Sequence, residues 1–467
     1  MNPSFPLHLS LAVALQAVVL LAGCAVGPDY RQPKLPGKPA ERRAVASKPR
    51  PADTNTPSWW QAAGNPELAR LVERSLADNR DLRVAFARLE ESRALRREAR
   101  ASLWPAGSVS AGYRRQLDST VLFKGVPRDL RDQKVFDVGV DAAWELDLFG
   151  RVRRSIEAGS ASVDAAEADF AQLRLLIAAE TARAFVEYRA ARTLLDLRQC
   201  QLSAAEKMLA VLEHQVAEGK IGREQLASSE QDVATLKSAA GELRLAERGA
   251  RNRLGVLSGD GEVSLSSDGA PVGLPAPMLT SDPIQLMAGR PDVQAAERRL
   301  AASTAAIGVA RADYFPTVSL VGRVGAEANR LGDLTSADAN FFSFGPRLTW
   351  DLLNLHRVQA RVRASEARAR EALAAWEQTV LLALEEIDNA LARSGESTAR
   401  LQERTRAALA AAEASRIVQD RFAEGLAGPL EALGAESAAL GAQAERVRVE
   451  AELAMSRIAL QQSVAAR

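Results

Sequence analysis

The stretch Phe136-Asp137-Val138-Gly139-Val140-Asp141-Ala142-Ala143-Trp144-Glu145-Leu146 sets apolar side chains against small or charged ones with a period of two. That period puts Phe136, Val138, Val140, Ala142, Trp144 and Leu146 on one face of a strand and Asp137, Gly139, Asp141, Ala143 and Glu145 on the other. The pattern returns at Phe342, Phe344, Pro346, Leu348 and Trp350 against Ser343, Gly345, Arg347, Thr349 and Asp351. Val109, Ala111, Tyr113 and Leu117 alternate with Ser108, Ser110, Gly112 and Gln116, and Val318, Leu320 and Val324 with Ser319, Arg323 and Glu327. Strands are therefore expected at about 106–117, 135–147, 317–327 and 341–351. Their length, the aromatics near their ends and the charges on one face fit a membrane barrel with a wet interior; a soluble sheet with one solvated face has the same alternation. In lipid, open strand edges would leave backbone groups unpaired at several kcal/mol each. A closed barrel needs about eight strands or more, so four strands in lipid require several chains around one barrel.

The strands belong to a duplication. At a displacement of 211 positions Asp81, Arg88, Leu89, Ser92, Arg100 and Pro105 fall on Asp292, Arg299, Leu300, Ser303, Arg311 and Pro316. At 206 positions Gly139, Trp144, Arg151 and Val152 fall on Gly345, Trp350, Arg357 and Val358, and Ala217-Glu218-Gly219 on Ala423-Glu424-Gly425. The difference between the two displacements belongs in the loop around 118–134. Each copy reads helix, strand, strand, long helix, turn, helix, so the fold class is mainly α with a membrane β-barrel portion.

From Val152 to about Glu218, and again from Val358 to about Glu424, there is no proline. At 1.5 Å per residue each run is roughly 100 Å long, with the tips remote from the strands. Ile156, Val163, Phe170, Ile177 and Ala184 recur every seven residues, as do Val362, Ala369, Trp376, Ala383 and Ala390, which marks side-by-side helices in coiled-coil packing. Glu218-Gly219-Lys220-Ile221-Gly222 and Glu424-Gly425-Leu426-Ala427-Gly428-Pro429 close these helices. Glycine supplies the left-handed C-terminal residue and Pro429 a first helical position. Short turns make antiparallel neighbours, so the returning helices run to about Gly259 and Ser463.

An apolar run from Leu9 to Leu21 leads into Leu21-Ala22-Gly23-Cys24. About 13 apolar residues are short for a span, which needs roughly 20; small residues before a cysteine read as a lipoprotein signal, with Cys24 the lipidated residue. The stretch before the run carries His8 and no Lys or Arg. Ala25, rather than Asp, follows the cysteine, which points to the outer membrane. The domain reading is a signal peptide over 1–23, an N-terminal anchor and extended segment over 24–64, a first repeat over 65–258, an equatorial linker over 259–289 and a second repeat over 290–467.

The net charge of +1 over 467 residues gives no electrostatic case for nucleic acid. With Cys24 lipidated, Cys200 has no partner and reads as a small buried hydrophobe. His8, His214 and His356 lie far apart and make no ligand set. Walker A, G-x-G-x-x-G and G-x-S-x-G motifs and metal-spaced His/Cys sets are absent, so neither an enzyme nor a cofactor is expected. The Asp and Glu residues mostly alternate with Arg on helices, as on solvated faces.

Cys24 with Gly27-Pro28-Asp29-Tyr30-Arg31-Gln32-Pro33, Trp59-Trp60, Asn65-Pro66-Glu67-Leu68, Asn79-Arg80-Asp81-Leu82, Leu103-Trp104-Pro105, Arg290-Pro291-Asp292-Val293, Tyr314-Phe315-Pro316 and both Glu-Gly tips resemble the outer-membrane efflux proteins of the TolC/OprM type, in their NodT-like lipoprotein branch. The resemblance covers nearly the whole chain after the signal. It implies a homotrimer with a twelve-stranded barrel on a twelve-helix periplasmic tunnel, docked through the turns at Gly219, Gly222, Gly425 and Gly428 to a periplasmic adaptor and an inner-membrane RND-type transporter. Substrates would leave passively through this duct. It also implies a gate at the tip, with Glu431 as the acid on the helix after the second turn and Glu224 a weaker candidate after the first. Three copies of Glu431 would make an acidic ring that holds cations or responds to pH; a solvated first-turn acid suited to the helix dipole is the plainer reading. Gly434 stands where some relatives carry a second acid, which argues against a second ring. The competing functions are a duct for type I protein secretion and a structural coiled-coil lipoprotein of the envelope.

Overall fold

The structure, a computed structural model, describes residues 25–33, 58–266, 273–274, 287 and 289–464. They form two compact units. One contains 88–167 and 295–376 together with the N-terminal segment up to Pro33; the other contains the rest. In chain order the elements are α1 (Trp59–Ala62), α2 (Pro66–Asp78), α3 (Arg80–Ala101), β1 (Ala106–Leu117), α4 (Arg128–Arg131), β2 (Asp132–Leu146), α5 (Arg151–Ala217) and α6 (Arg223–Leu257). The second copy follows with α7 (Pro291–Ala312), β3 (Thr317–Ala328), β4 (Asn340–Thr349), α8 (Leu355–Ala423) and α9 (Pro429–Ser463).

In the first unit the strands make a four-stranded antiparallel sheet in the order β1-β2-β3-β4. The hairpins β1-β2 and β3-β4 come one from each copy, and β2-β3 is the seam between copies. Among the described residues β1 and β4 have a partner on one side only. The ladder fixes the two faces: Tyr113 opposes Phe136, Val140 opposes Val109 and Val324, and Val324 opposes Phe342. From Gly107 to Tyr113, Phe136 to Leu146, Val318 to Ala326 and Phe342 to Leu348 this face carries no charged side chain. The opposite face carries Asp137, Asp141, Glu145, Arg323, Glu327 and Arg347. Arg323 sits between Asp137 (3.0 Å) and Asp141 (3.4 Å) there. Phe342, Phe344 and Val109 on the uncharged face are 85%, 74% and 79% exposed in the single chain.

Two strand boundaries differ by more than one residue from those read in the sequence. β2 begins at Asp132 because Arg115 binds the Asp132 carboxylate through two hydrogen bonds, 2.8 and 2.6 Å, and extends the ladder. β4 ends at Thr349, which pairs with Thr317, the first residue of β3 after Pro316; just beyond it the Trp350 Nε1 donates to the Tyr314 carbonyl at 3.1 Å. The equivalent Trp144 donates to the equivalent carbonyl, that of Leu103, at 3.0 Å.

The long helices α5 and α8 run 67 and 69 residues without a break. Their heptad stripes point inward: Val163, Ile177, Ala184, Val362, Trp376, Ala383 and Ala390 are buried, and Ile156, Phe170 and Ala369 are half-buried. Cys200 corrects an expectation, since it is exposed. Its neighbour Gln201 takes the buried position and donates to the Ser437 carbonyl of α9 at 3.2 Å; one residue further round the helix turns the thiol away from that contact.

The second unit has a dense core of Leu68, Val72, Phe185, Leu254 and Ile458. Here the first copy departs from the single expected helix before its strands. Asn79 splits α2 from α3: its side-chain oxygen accepts from the Asp81 and Leu82 amides, and its amide nitrogen donates to the Leu257 carbonyl at 3.0 Å. The equivalent residue is Arg290, which donates to the equivalent carbonyl, that of Ser463, also at 3.0 Å. Among the described residues no helix is long and apolar enough to cross a membrane.

Candidate functional site

The tips of the long helices are built by the same backbone device. At the first, the Lys220 amide donates to the Gln215 carbonyl (2.9 Å) and the Gly219 amide to that of Val216 (3.0 Å). At the second, Leu426 donates to Arg421 (2.7 Å) and Gly425 to Phe422 (3.0 Å). This is the Schellman pattern, which satisfies the last helical carbonyls by sending one residue into the left-handed region. Gly219 and Gly425 have φ of +70° and +76°, where a Cβ would be strained. Gly222 and Gly428 take the other part of the turn: both are extended, at φ −78° and −82°, and stand at the N-caps of α6 and α9.

The side chains at the two tips differ. Arg421 reaches across the second turn, its guanidinium 3.2 Å from the Glu431 carboxylate, and donates to the Leu426 carbonyl. Glu431 therefore has a cationic partner in its own chain, besides the favourable first-turn position at the start of α9. At the first tip the positions equivalent to Arg421 and Glu431 are Gln215 and Gln225. Glu224 lies in the first turn of α6 and is exposed. Glu218 there lies 2.7 Å from Lys220 and 3.6 Å from His214.

The structure thus brings Glu431 and Gly425 into one turn with Arg421, a residue that the sequence reading passed over. The available signal was a paired change: across the 206-residue displacement Gln215 and Gln225 become Arg421 and Glu431, opposite charges replacing two neutral amides. Cys24 lies outside the described residues. Among the described residues no group of three or more His, Cys, Asp or Glu is placed to hold a metal ion.

The model of the outer membrane efflux protein family matches residues 71–260 and 283–466. The chain belongs to the outer membrane efflux protein family. It is similar to the outer membrane protein OprJ of Pseudomonas aeruginosa, 31% identical over 435 residues that cover 91% of this chain and 88% of OprJ. It is also similar to the probable outer membrane lipoprotein SilC of Salmonella typhimurium, 26% identical over 84% of this chain and 85% of SilC. Among solved structures the outer-membrane channel OprN superposes with a TM-score of 0.81 at 35% identity, covering 95% of this chain and 99% of OprN. The two family matches bracket the duplication, and each holds one hairpin of the sheet and one Schellman tip. For an outer membrane efflux protein the sheet with one uncharged face and the paired helical tips are the parts to be explained.

Proposed function

We propose that this outer membrane efflux protein is the exit duct of a tripartite pump, passing small toxic compounds from the periplasm to the outside without chemistry of its own. The observation that carries the reading is the four-stranded sheet, with one face free of charge from Phe136 to Leu146 and across its neighbours, and with the outer edges of β1 and β4 unpaired among the described residues. In β2 the eleven residues Phe136 to Leu146 run past the uncharged face, every second side chain on it. At about 3.3 Å per residue and a tilt of about 40° they rise roughly 25 Å, the height of a barrel's apolar band. An exposed edge of this length is a template for another strand, and lipid offers no other partner for its backbone groups.

On this reading three chains share one barrel of twelve strands, with the charged face lining a wet lumen, and their long helices form the periplasmic tunnel. Lipid on Cys24 adds a second attachment to the outer membrane. The tips at Gly219, Gly222, Gly425 and Gly428 meet a periplasmic adaptor, which links the duct to an inner-membrane transporter of the RND type. Selection belongs to that transporter, since a wide water-filled lumen does not require a binding pocket.

The test is electrical. Purified protein in planar bilayers is expected to give ion-conducting steps from a heat-dissociable oligomer; an electrically silent monomer would instead favour the structural lipoprotein. Deletion of the gene is expected to raise drug accumulation with protein secretion unchanged. The reverse result would assign the duct to type I secretion.

A further inference from the structure

The first unit contains a receptor for the chain's own N-terminal segment. Arg154, on the first turn of α5, has a side chain only 6% exposed. It donates to the carbonyls of Val26 and Gly27, both at 3.3 Å, to the Asp29 carboxylate at 2.7 Å and to Glu157 at 2.8 Å. A guanidinium this buried needs acceptors around it, and three of these four come from the segment 25–33. The backbone passes on both sides are too close for any side chain. A Cβ on Gly27, whose φ is +106°, would lie 2.5 Å from the Gly308 Cα; one on Gly308 would lie 2.7 Å from Arg154 Cγ and 2.8 Å from the Val26 carbonyl oxygen. A Cβ on Gly150, with φ +80°, would lie 2.6 Å from the Ala25 Cα. The Val26 amide donates to the Phe149 carbonyl at 3.1 Å. Beyond it the Tyr30 hydroxyl donates to Glu297 at 2.9 Å, with the Arg298 guanidinium 5.7 Å from the ring centre.

Glycine on both sides of one crossing, Gly27 over Gly308, glycine at 150 against Ala25 in the other, and a buried cation aimed at carbonyls make a site shaped for backbone. It lies where β2 gives way to α5, beside the stacked rings of Phe149 and Phe315. The residue next toward the amino terminus from Ala25 is Cys24. We propose that Gly150, Arg154 and Gly308 seat the segment 25–33 so that the lipid on Cys24 starts at this strand-to-helix corner, and that Arg154 is the positioning residue for the membrane anchor. The proposal rests on the lipid reading of Cys24. A lipid fixed at this corner enters the membrane boundary together with the sheet, and so favours insertion and assembly at one depth rather than tethering the chain loosely.

The test uses the full chain with its own signal, recovered from the outer membrane. Arg154→Ala is expected to raise exchange at the Val26 amide about tenfold, as a lost set of local hydrogen bonds does, and to lower the yield of heat-dissociable oligomer several-fold. Asp29→Ala, which removes an exposed carboxylate and leaves the helices intact, should move both readouts less and in the same direction; Arg154→Lys should restore part of each. A flexible ten-residue Gly-Ser insertion between Cys24 and Ala25 separates positioning from packing. It leaves Val26 protected but should lower the oligomer yield as Arg154→Ala does. Wild-type assembly of the insertion variant, or unchanged Val26 exchange in Arg154→Ala, would overturn the proposal. The mass of the N-terminal peptide reports acylation separately: an unmodified Cys24 would remove the lipid reading, while the Val26 exchange would still decide whether Arg154 holds the segment.

Discussion

Asn79 and Arg290 hold equivalent places in the two copies and reach equivalent carbonyls, those of Leu257 and Ser463, each at 3.0 Å. Asn79 does this as a neutral amide that also caps α3. Arg290 does it as a buried cation, held by Asp292 at 2.7 Å and Glu386 at 2.6 Å. The tips repeat the contrast, with Gln215 and Gln225 in one copy and the ion pair Arg421–Glu431 in the other. The backbone task recurs because the geometry of the duplicated unit demands it. The side-chain solution is free to diverge, and in both places the second copy uses charge. Charge brings dependence on a partner, because a buried ion that loses its counter-ion costs more than a neutral group that loses one hydrogen bond.

The largest expected effect follows from that dependence. Arg290→Ala leaves Asp292 and the Ser463 carbonyl without their donor, while solvent takes up Glu386, whose side chain is 57% exposed, and should cost about 3 kcal/mol. Asn79→Ala loses one hydrogen bond and a helix cap and should cost about 1–2 kcal/mol. Denaturant midpoints of the solubilised protein give both numbers, and equal losses would break the comparison between copies.

Next comes the seam. Gly139 and Gly345 are equivalents, but Gly139 lies on the inner strand β2 opposite Gly325, whereas a Cβ on Gly345 meets nothing within 4 Å. A Cβ on Gly325 would stand 2.2 Å from the Val138 carbonyl oxygen. Gly325→Ala therefore forces the two hairpins apart, at about 3 kcal/mol, and should reduce oligomer yield sharply. Gly345→Ala should assemble as the parent does. Oligomer on a non-heated gel reads the difference, and equal tolerance would mean that the seam is not closely packed.

The sequence made these repeats visible wherever a period carried them. Alternation gave the strands and their uncharged face, seven-residue spacing gave the buried stripe from Val163 to Ala184, and glycines gave the left-handed residues at 219 and 425. Contacts between residues far apart left no period to read. Asn79 finds Leu257, Arg290 finds Ser463 and Arg154 finds Asp29 only once the fold is formed, so the break between α2 and α3 and the N-terminal seat went unread. The exposure of Cys200 was missed because residue type alone says little about which side of a 67-residue helix is covered.

The tip glycines should cost less, and equally. Gly219→Ala and Gly425→Ala each place a Cβ at positive φ, worth about 1–2 kcal/mol, and should speed amide exchange at their own turn alone. Unequal effects would mean that the two turns, alike in backbone, carry different loads in the assembled protein.

The smallest effect on stability belongs to the pair that most distinguishes the two tips. Arg421 and Glu431 are each 49% exposed, so Glu431→Gln should change stability by less than about 1 kcal/mol. Its consequence lies in the duct. The substitution gives position 431 the amide of its equivalent Gln225, releases the tie between the end of α8 and the start of α9, and should raise basal conductance at low ionic strength. In about 1 M salt, where screening acts within about 3 Å, the variant and parent should converge. The double change Arg421→Gln with Glu431→Gln should match the single one, because two groups that act only on each other do not add. A double variant whose conductance gain equals the sum of two separate gains would show that Arg421 and Glu431 face different partners across the tunnel, and the charge at this tip would then act between subunits rather than within one.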